Sequence, residues 1–285
     1  KKSSYGKRRG EPPENVGANG RSENVGANGC SPLLRGNISN QSWSKILSKI
    51  SVCMAVFNGE RYLKQQLQSI LPQLRKYDEI VIVDDASTDT SLQLIHNLQD
   101  SRIRVIQNLE NQGVISSFAT ALQNSEGDVI FLSDQDDIWL PKKVQKILEV
   151  FQKQLDITLV TSDAQLINEE GEIIAPSFFS LRGQFIDHLL SNLMKNKYHG
   201  CTLAFRKELL KKVLPFPDDI PMHDSWIGLV NHLYGETIYL EEPLLQYRIH
   251  NYNTGRGISD HAGLLQMIQW RILLIKNLLK RRFID

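Results

Sequence analysis

The chain has 285 residues, 41% hydrophobic and 23% charged, the balance of an ordinary globular protein with room for one large domain or two closely fused ones. A formal net charge of +1 lacks the basic excess of proteins that hold long polyanions, so nucleic acid is excluded as the main partner. Cys30, Cys53 and Cys201 are odd in number and far apart, no stretch reaches the roughly 18 to 20 apolar residues of a membrane span, and there is no apolar signal-peptide core, so a reducing, cytoplasmic setting is expected.

Residues 1–45 are rich in Gly, Asn, Ser, Pro and charge, and the heptapeptide Glu-Asn-Val-Gly-Ala-Asn-Gly occurs at 14–20 and again at 23–29. So little apolar surface does not offset the entropy of ordering, and two short copies cannot stack into a solenoid, so this segment reads as a disordered or non-native leader. From Ile50, short β-rich apolar runs alternate with amphipathic helical stretches, the signature of βαβ units and a parallel sheet. Strands are expected at 51–57, 79–83, 102–106 and 128–132, followed by helices at 61–74, 91–98, 114–123 and 141–154, the last opened by Pro141 at its first position. A strand near 159–162, a hairpin around 168–171, a strand at 201–205 and a helix near 224–234 then form a mixed extension of the sheet. Residues 261–283 read as a basic amphipathic helix, suited either to packing on the domain or to a membrane surface. The expected architecture is a single α/β domain over 46–258 with a Rossmann-like, mostly parallel central sheet, its nucleotide-binding half at about 50–140 and its acceptor half at 141–258, followed by a C-terminal amphipathic helix over 259–285.

In an open parallel sheet, ligands bind outside the carboxyl ends of the strands. Asp84, Asp85 and Asp89 follow the second strand directly, and Asp134, Asp136 and Asp137 follow the fourth. Carboxylates held this close raise one another's pKa, and a hard divalent ion such as Mg²⁺ or Mn²⁺, which takes oxygen ligands and substrate phosphates, relieves the repulsion. An Asp-x-Asp turn lets one carboxylate hold the metal while the other addresses it through water or the donor ribose. Helix N-caps and Asx turns are the competing roles for these residues. A carboxylate at the end of the second strand can equally accept hydrogen bonds from a base or a ribose.

Ala55-Val56-Phe57-Asn58-Gly59-Glu60, the run Asp84 to Asp89, Asn111-Gln112-Gly113, the run Phe131 to Trp139 with Asp134-Gln135-Asp136, and His223-Asp224-Ser225-Trp226 resemble, in order, the motifs of family 2 glycosyltransferases with the A-type fold. The resemblance extends over about 50–255. It implies that Ala55, Phe57 and Glu60 line the nucleotide pocket, that Asp85 contacts the base with Asp84 beside it, that Asp136 binds the metal with Asp134 near ribose or metal, and that Asp224 is the catalytic base. His223-Asp224 stands where many members have Glu-Asp, and with Ser133 to Asp137 and Tyr247-Arg248-Ile249-His250 it resembles the rhamnosyltransferase-type branch. Phe57 replaces the commoner Tyr and Ala55 the commoner Pro, which keeps stacking and removes a hydroxyl contact.

The expected reaction is transfer of a sugar from a nucleoside-diphosphate donor, dTDP-rhamnose or a UDP-hexose, to a hydroxyl of a cell-surface polysaccharide or lipid-linked saccharide. A carboxylate that takes the acceptor proton contributes about 10²- to 10⁴-fold, a metal stabilises the leaving diphosphate, and one in-line displacement inverts the anomeric centre. His250 is a further candidate metal ligand, and Arg248 or Arg256 a candidate for the diphosphate. His223 is expected to orient Asp224, Trp139 and Trp226 to wall the sugar site, and Cys201 to stand on the acceptor side, each against ordinary core packing. The basic C-terminal helix makes peripheral contact with the inner face of the membrane in this reading. A nucleotidyltransferase is the main rival and requires a Gly-rich, basic phosphate loop near the first strand, which Ala55 to Glu60 lacks. A phosphoacceptor signalling domain would begin near its Asp pair, and an inactive sugar-nucleotide-binding homologue would lack the carboxylates that are present.

Overall fold

Runs such as Ile80-Val81-Ile82-Val83 are apolar at every position rather than at alternate ones, which suits a strand covered by helices on both faces, and all four residues are fully buried. The computed structural model describes residues 49–183, 185–250 and 263–282, all within the unit Trp43–Asp285. The expected leader, Cys30 and Arg256 lie outside the described residues.

The first half alternates as the sequence implies: β1 (Ile50–Val56), α1 (Leu63–Ile70), β2 (Glu79–Asp84), α2 (Ser91–Asn97), β3 (Ile103–Gln107), α3 (Val114–Gln123) and β4 (Val129–Ser133). These four strands are parallel, in the order β3-β2-β1-β4. The chain winds outward from β1 to β3 and then returns to the other side of β1, so the carboxyl ends of β1 and β4 flank the topological switch point where α/β folds place their ligands.

The second half comprises β5 (Ile138–Trp139), α4 (Lys143–Lys153), β6 (Ile157–Ile167), β7 (Ile173–Ala175), α5 (Phe178–Arg182), α6 (Leu189–Met194), β8 (Leu203–Arg206), α7 (Leu210–Val213), α8 (His223–Tyr234), β9 (Glu236–Arg248) and α9 (Leu264–Arg282). The sheet continues β4-β8-β6-β9-β5, with β7 on β6; β8 runs antiparallel to both neighbours, and β6 and β9 are parallel. The result is the expected α/β domain with a mostly parallel, mixed sheet and a C-terminal helix.

Two expectations are corrected. Pro141 does not open α4: Lys142 has φ 70°, a left-handed residue that no helix interior accommodates, so the helix starts at Lys143. The 13-residue β9 was not anticipated, because Glu241, Glu242 and Pro243 interrupt its apolar pattern; the ladder with β6 shifts register around Asp163↔Pro243, where a missing N–H is tolerated.

The two faces of β1 feed separate cores. Ile50, Val52, Met54 and Val56 pack with Leu63, Leu67 and Ile70 of α1 and Val144, Ile147 and Phe151 of α4. Cys53 joins Val81, Val83, Phe118 of α3 and Trp226, Ile227 and Val230 of α8. On α9, Leu274 and Leu278 are buried, Asn277 donates to Asp219 Oδ1 (2.6 Å), and Arg281 donates to the Leu214 carbonyl (3.0 Å), while Leu265, Ile268, Ile272, Ile275 and Leu279 are exposed. Among the described residues, no helix is long and apolar enough to cross a membrane.

Candidate active site

Three loops meet at the carboxyl edge of β2, β1 and β4. The amides of the loop after β1 are all held by side chains: the N–H of Phe57 donates to Gln135 Oε1 (3.0 Å), of Asn58 to Ser87 Oγ (3.0 Å), of Gly59 to Ser91 Oγ (2.7 Å) and of Glu60 to Asp89 Oδ2 (3.0 Å). Four consecutive amides are therefore committed, and the backbone phosphate cradle that a nucleotidyltransferase needs is not built here. Phe57 is 45% exposed at the rim, Ala55 is partly buried behind it, and exposed Glu60 accepts from Thr90 N–H (3.1 Å) and Oγ1 (2.8 Å).

The paired acids after β2 differ in their partners. Asp85 is saturated, accepting from Asn108 Nδ2 (2.7 Å), Gln112 N (2.9 Å) and Gly113 N (2.8 Å), so it organises the Asn111-Gln112-Gly113 turn that leads into α3. Asp84, fully buried, accepts from Ser87 N through Oδ2 (3.2 Å), and its Oδ1 has no partner among the described residues. A buried acceptor left unpaired costs about 1–3 kcal/mol, so of the two acids Asp84 is the less satisfied by its own fold.

After β4, Asp136 Oδ2 lies 2.7 Å from His250 Nε2, with both residues buried and the Tyr62 ring stacked on the imidazole at 5.5 Å. Arg248 fixes this pairing from behind. Its N–H donates to Asp137 Oδ1 (3.0 Å), its Nε to the Asp136 carbonyl (2.8 Å), and its two terminal nitrogens to the carbonyls of Asn168 and Glu169 and to Gln65 Oε1. The expected diphosphate role of Arg248 is thereby corrected: at 1% exposure the guanidinium is a staple between β9, the acid loop and α1.

The acid loop is short of positive charge. Burial, then the carboxylates of Asp136 and Asp224, push Asp134 up to about 7, and burial with Asp136 and Asp134 raises Asp137 well above its ordinary value. Lys143 is the internal counter-cation: fully buried, it donates to the Cys201 carbonyl (2.7 Å), lies 4.3 Å over the Trp139 ring, and is pushed down to about 8 by burial. Ligand atoms of Asp134, Asp137 and Cys201 lie within 4.8 Å of one another. Burial, then the carboxylates of Asp137 and Asp134, raise the Cys201 thiol well above its ordinary value. The oxygens of Asp134 and Asp137, and separately the Asp136–His250 pair of the same loop, are donors that fit a hard divalent ion such as Mg²⁺ or Mn²⁺.

Asp224 sits in the first turn of α8. It accepts from Ser225 N–H and from Asn196 Nδ2 (3.3 Å), and burial pushes its carboxyl up to about 6 against these bonds and one from the Gly200 amide. His223 does not hydrogen-bond to it. The imidazole stacks on Phe118 at 4.1 Å, neither nitrogen has a partner among the described residues, and burial pushes it down to about 3, so it is neutral. The sugar-wall roles expected of the tryptophans are also corrected. Trp226 is fully buried and donates its indole N–H to the Val213 carbonyl (2.9 Å), and Trp139 is 2% exposed against Phe131. Cys201, 1% exposed, offers the site no side-chain surface. Residue pattern alone missed Gln135, Lys143 and the true partners of Arg248, because each acts on a segment far away in sequence.

Residues 51–214 match the sequence model of Glycosyl transferase family 2. The uncharacterized glycosyltransferase alr2836 of Nostoc sp. is 34% identical over 216 residues, 72% of this chain and 66% of its own length, so the chain spans about two thirds of that relative. The O-antigen biosynthesis glycosyltransferase WbnJ of Escherichia coli is 29% identical over 219 residues, covering 75% of this chain and 84% of WbnJ. In fold, the mannosyltransferase PcManGT from Pyrobaculum calidifontis, solved with GDP-Man and Mn²⁺, aligns with a TM-score of 0.60 at 18% identity, over 82% of this chain and 68% of that one. Matched by the family model over more than half its length, the chain belongs to glycosyl transferase family 2.

Proposed function

We propose that the chain is a metal-dependent, inverting glycosyltransferase that moves a sugar from a nucleoside-diphosphate donor to a hydroxyl of a cell-surface polysaccharide or lipid-linked saccharide. The observation that carries this reading is the Asp136–His250 pair in the loop after β4, with Asp134 of the same loop near enough to the buried Asp224 for their charges to interact. The nucleotide-sugar complex of PcManGT, which shares the fold, and the O-antigen biosynthesis role of WbnJ support it.

In this reading the base and ribose lie against Ala55, Phe57 and Glu60, with Asp85 toward the base, Asp84 beside it and Asp134 near the ribose. Asp136 and His250 hold Mg²⁺ or Mn²⁺, which when bound supplies Lewis-acid stabilisation of the diphosphate leaving group. Asp224 accepts the proton of the acceptor hydroxyl as its oxygen bonds to the anomeric carbon and the bond from that carbon to the phosphate oxygen breaks. A value of about 6 leaves Asp224 mainly ionised at neutral pH yet more basic than an ordinary carboxylate, which suits a general base. One displacement inverts the anomeric centre.

Rhamnose from dTDP-rhamnose is the preferred donor sugar, on the His223-Asp224 and Tyr247 to His250 motifs, with a UDP-hexose as the alternative. A lipid-linked acceptor places the enzyme at the inner face of the membrane, with the outward stripe Leu265, Ile268, Ile272, Ile275 and Leu279, beside Lys276 and Lys280, as the contact. Titration calorimetry of dTDP and UDP, with and without Mn²⁺, on the wild type and on Asp136→Ala tests the donor site. Metal-dependent binding lost in the variant supports it and names the nucleotide, and metal-independent binding or none overturns it. Product formation with a panel of dTDP- and UDP-sugars then separates an enzyme from an inactive binder.

A further inference from the structure

We propose that Gln135, the middle residue of the Asp-Gln-Asp run, is a positioning residue that locks the nucleotide loop to the metal loop. The inference rests on the donor-site reading above. The β1–β4 ladder ends at Met54↔Ser133, and beyond it the two strands lead into separate loops. There the Gln135 side chain takes over the pairing: Oε1 accepts from Phe57 N–H (3.0 Å) and Nε2 donates to the Phe57 carbonyl (3.1 Å). One amide thus serves both polar groups of one residue, as a neighbouring strand would.

The site is shaped to admit that amide. A Cβ at Gly59 would stand 2.4 Å from Gln135 Oε1 and 2.9 Å from its Cδ, so any larger residue at 59 expels it. The rest of the acid loop is fixed independently, Asp134 through its carbonyl by Gln66 Nε2 (3.0 Å) and Asp136 through its carbonyl by Arg248 Nε (2.8 Å). The loop 57–60 is fixed to the β2 side by Ser87, Ser91 and Asp89. Among the described residues, the bonds of Gln135 join the two assemblies directly at Phe57, beside the longer route through α1, where Leu63 N–H donates to the Gly59 carbonyl and Gln66 holds Asp134. Both bonds lie at the solvent-facing rim, where each contributes little to folding. Their consequence is geometric: they set the spacing between the groups that receive the nucleoside and the Asp136–His250 pair that faces the diphosphate.

The test compares nucleotides that do and do not reach across the lock. In Gln135→Ala the affinity for UDP or dTDP with Mn²⁺ falls about tenfold, the scale of ordering on binding a loop that is no longer held in place, while UMP and dTMP bind as to wild type and the thermal midpoint moves by no more than about 2 °C. Gln135→Glu, of equal shape, sets an oxygen against the Phe57 carbonyl and weakens diphosphate binding at least as much. Gly59→Ala reproduces the tenfold loss by displacing the amide, and adds nothing further in the Gln135→Ala background, where there is no amide to displace. Wild-type affinity in Gln135→Ala, equal weakening of mono- and diphosphates, or losses at 59 and 135 that multiply would each overturn the inference while leaving the donor site standing. Failure of the wild type itself to bind any diphosphate with Mn²⁺ would remove the donor-site reading, and this inference with it.

Discussion

The Nε2 of His250 lies 2.7 Å from Oδ2 of Asp136 across 114 residues of chain, at the point where β9 passes behind the loop after β4. This contact makes His250 a partner of the Asp-x-Asp carboxylate. His250→Ala is expected to lower Mn²⁺-dependent binding of the nucleoside diphosphate by at least about tenfold, since loss of even an outer-shell partner costs about 10- to 100-fold in metal affinity. Calorimetry at fixed nucleotide and varied Mn²⁺ checks this, and wild-type metal affinity in the variant would remove His250 from the site.

Asp224→Asn separates catalysis from binding. With its carboxylate replaced, kcat is expected to fall about 10²- to 10⁴-fold while the affinity for donor nucleotide stays unchanged. In the wild type, kcat falls as the pH drops through about 6, because protonation of Asp224 removes the base. A pH–rate profile measured at saturating donor reads this limb; an acid limb near 4 would assign the proton to a less buried carboxyl.

The same residue sets a stability slope of defined sign. Its folded value of about 6 lies above the ordinary 3.8, so between these pH values the folded state binds more protons than the unfolded one. The contribution of Asp224 to stability is therefore greatest below pH 3.8 and is lost as pH rises through 6. Asp224→Asn is expected to melt a few degrees above wild type at pH 7.5, with the advantage shrinking toward pH 4. Thermal melts at the two pH values test it, and an advantage that grows on acidification would contradict the burial argument.

Trp226 and Phe57 offer a contrast between core and rim. Trp226→Ala removes a fully buried ring and leaves the Val213 carbonyl unpaired, at a cost of about 3–5 kcal/mol. Phe57→Ala, at an exposed position, is expected to change stability by about 0.5 kcal/mol or less and to weaken nucleotide binding. Urea unfolding of the two variants decides; equal destabilisation would mean that Phe57 packs rather than lines the rim.

What the sequence determined by itself was whatever short-range pattern encodes. The apolar runs of β1, β2 and β4, the helical spacing between them and the acids directly after β2 and β4 locate the switch-point edge, because strand, helix and turn signals are written in neighbouring residues. Asp134 and Asp136 were legible for the same reason, and Asp224 through the resemblance of the motif His223 to Trp226. Tertiary structure decided the partners. β9 takes its shape from pairing with β6 about 80 residues away, so its glutamates and proline concealed it. Arg248 faced the acid loop rather than a phosphate, the two tryptophans turned inward, and the free valence fell to Asp84 rather than Asp85, because each outcome depends on which distant carbonyl, amide or side chain the fold brings within about 3 Å, a distance at which hydrogen bonds form.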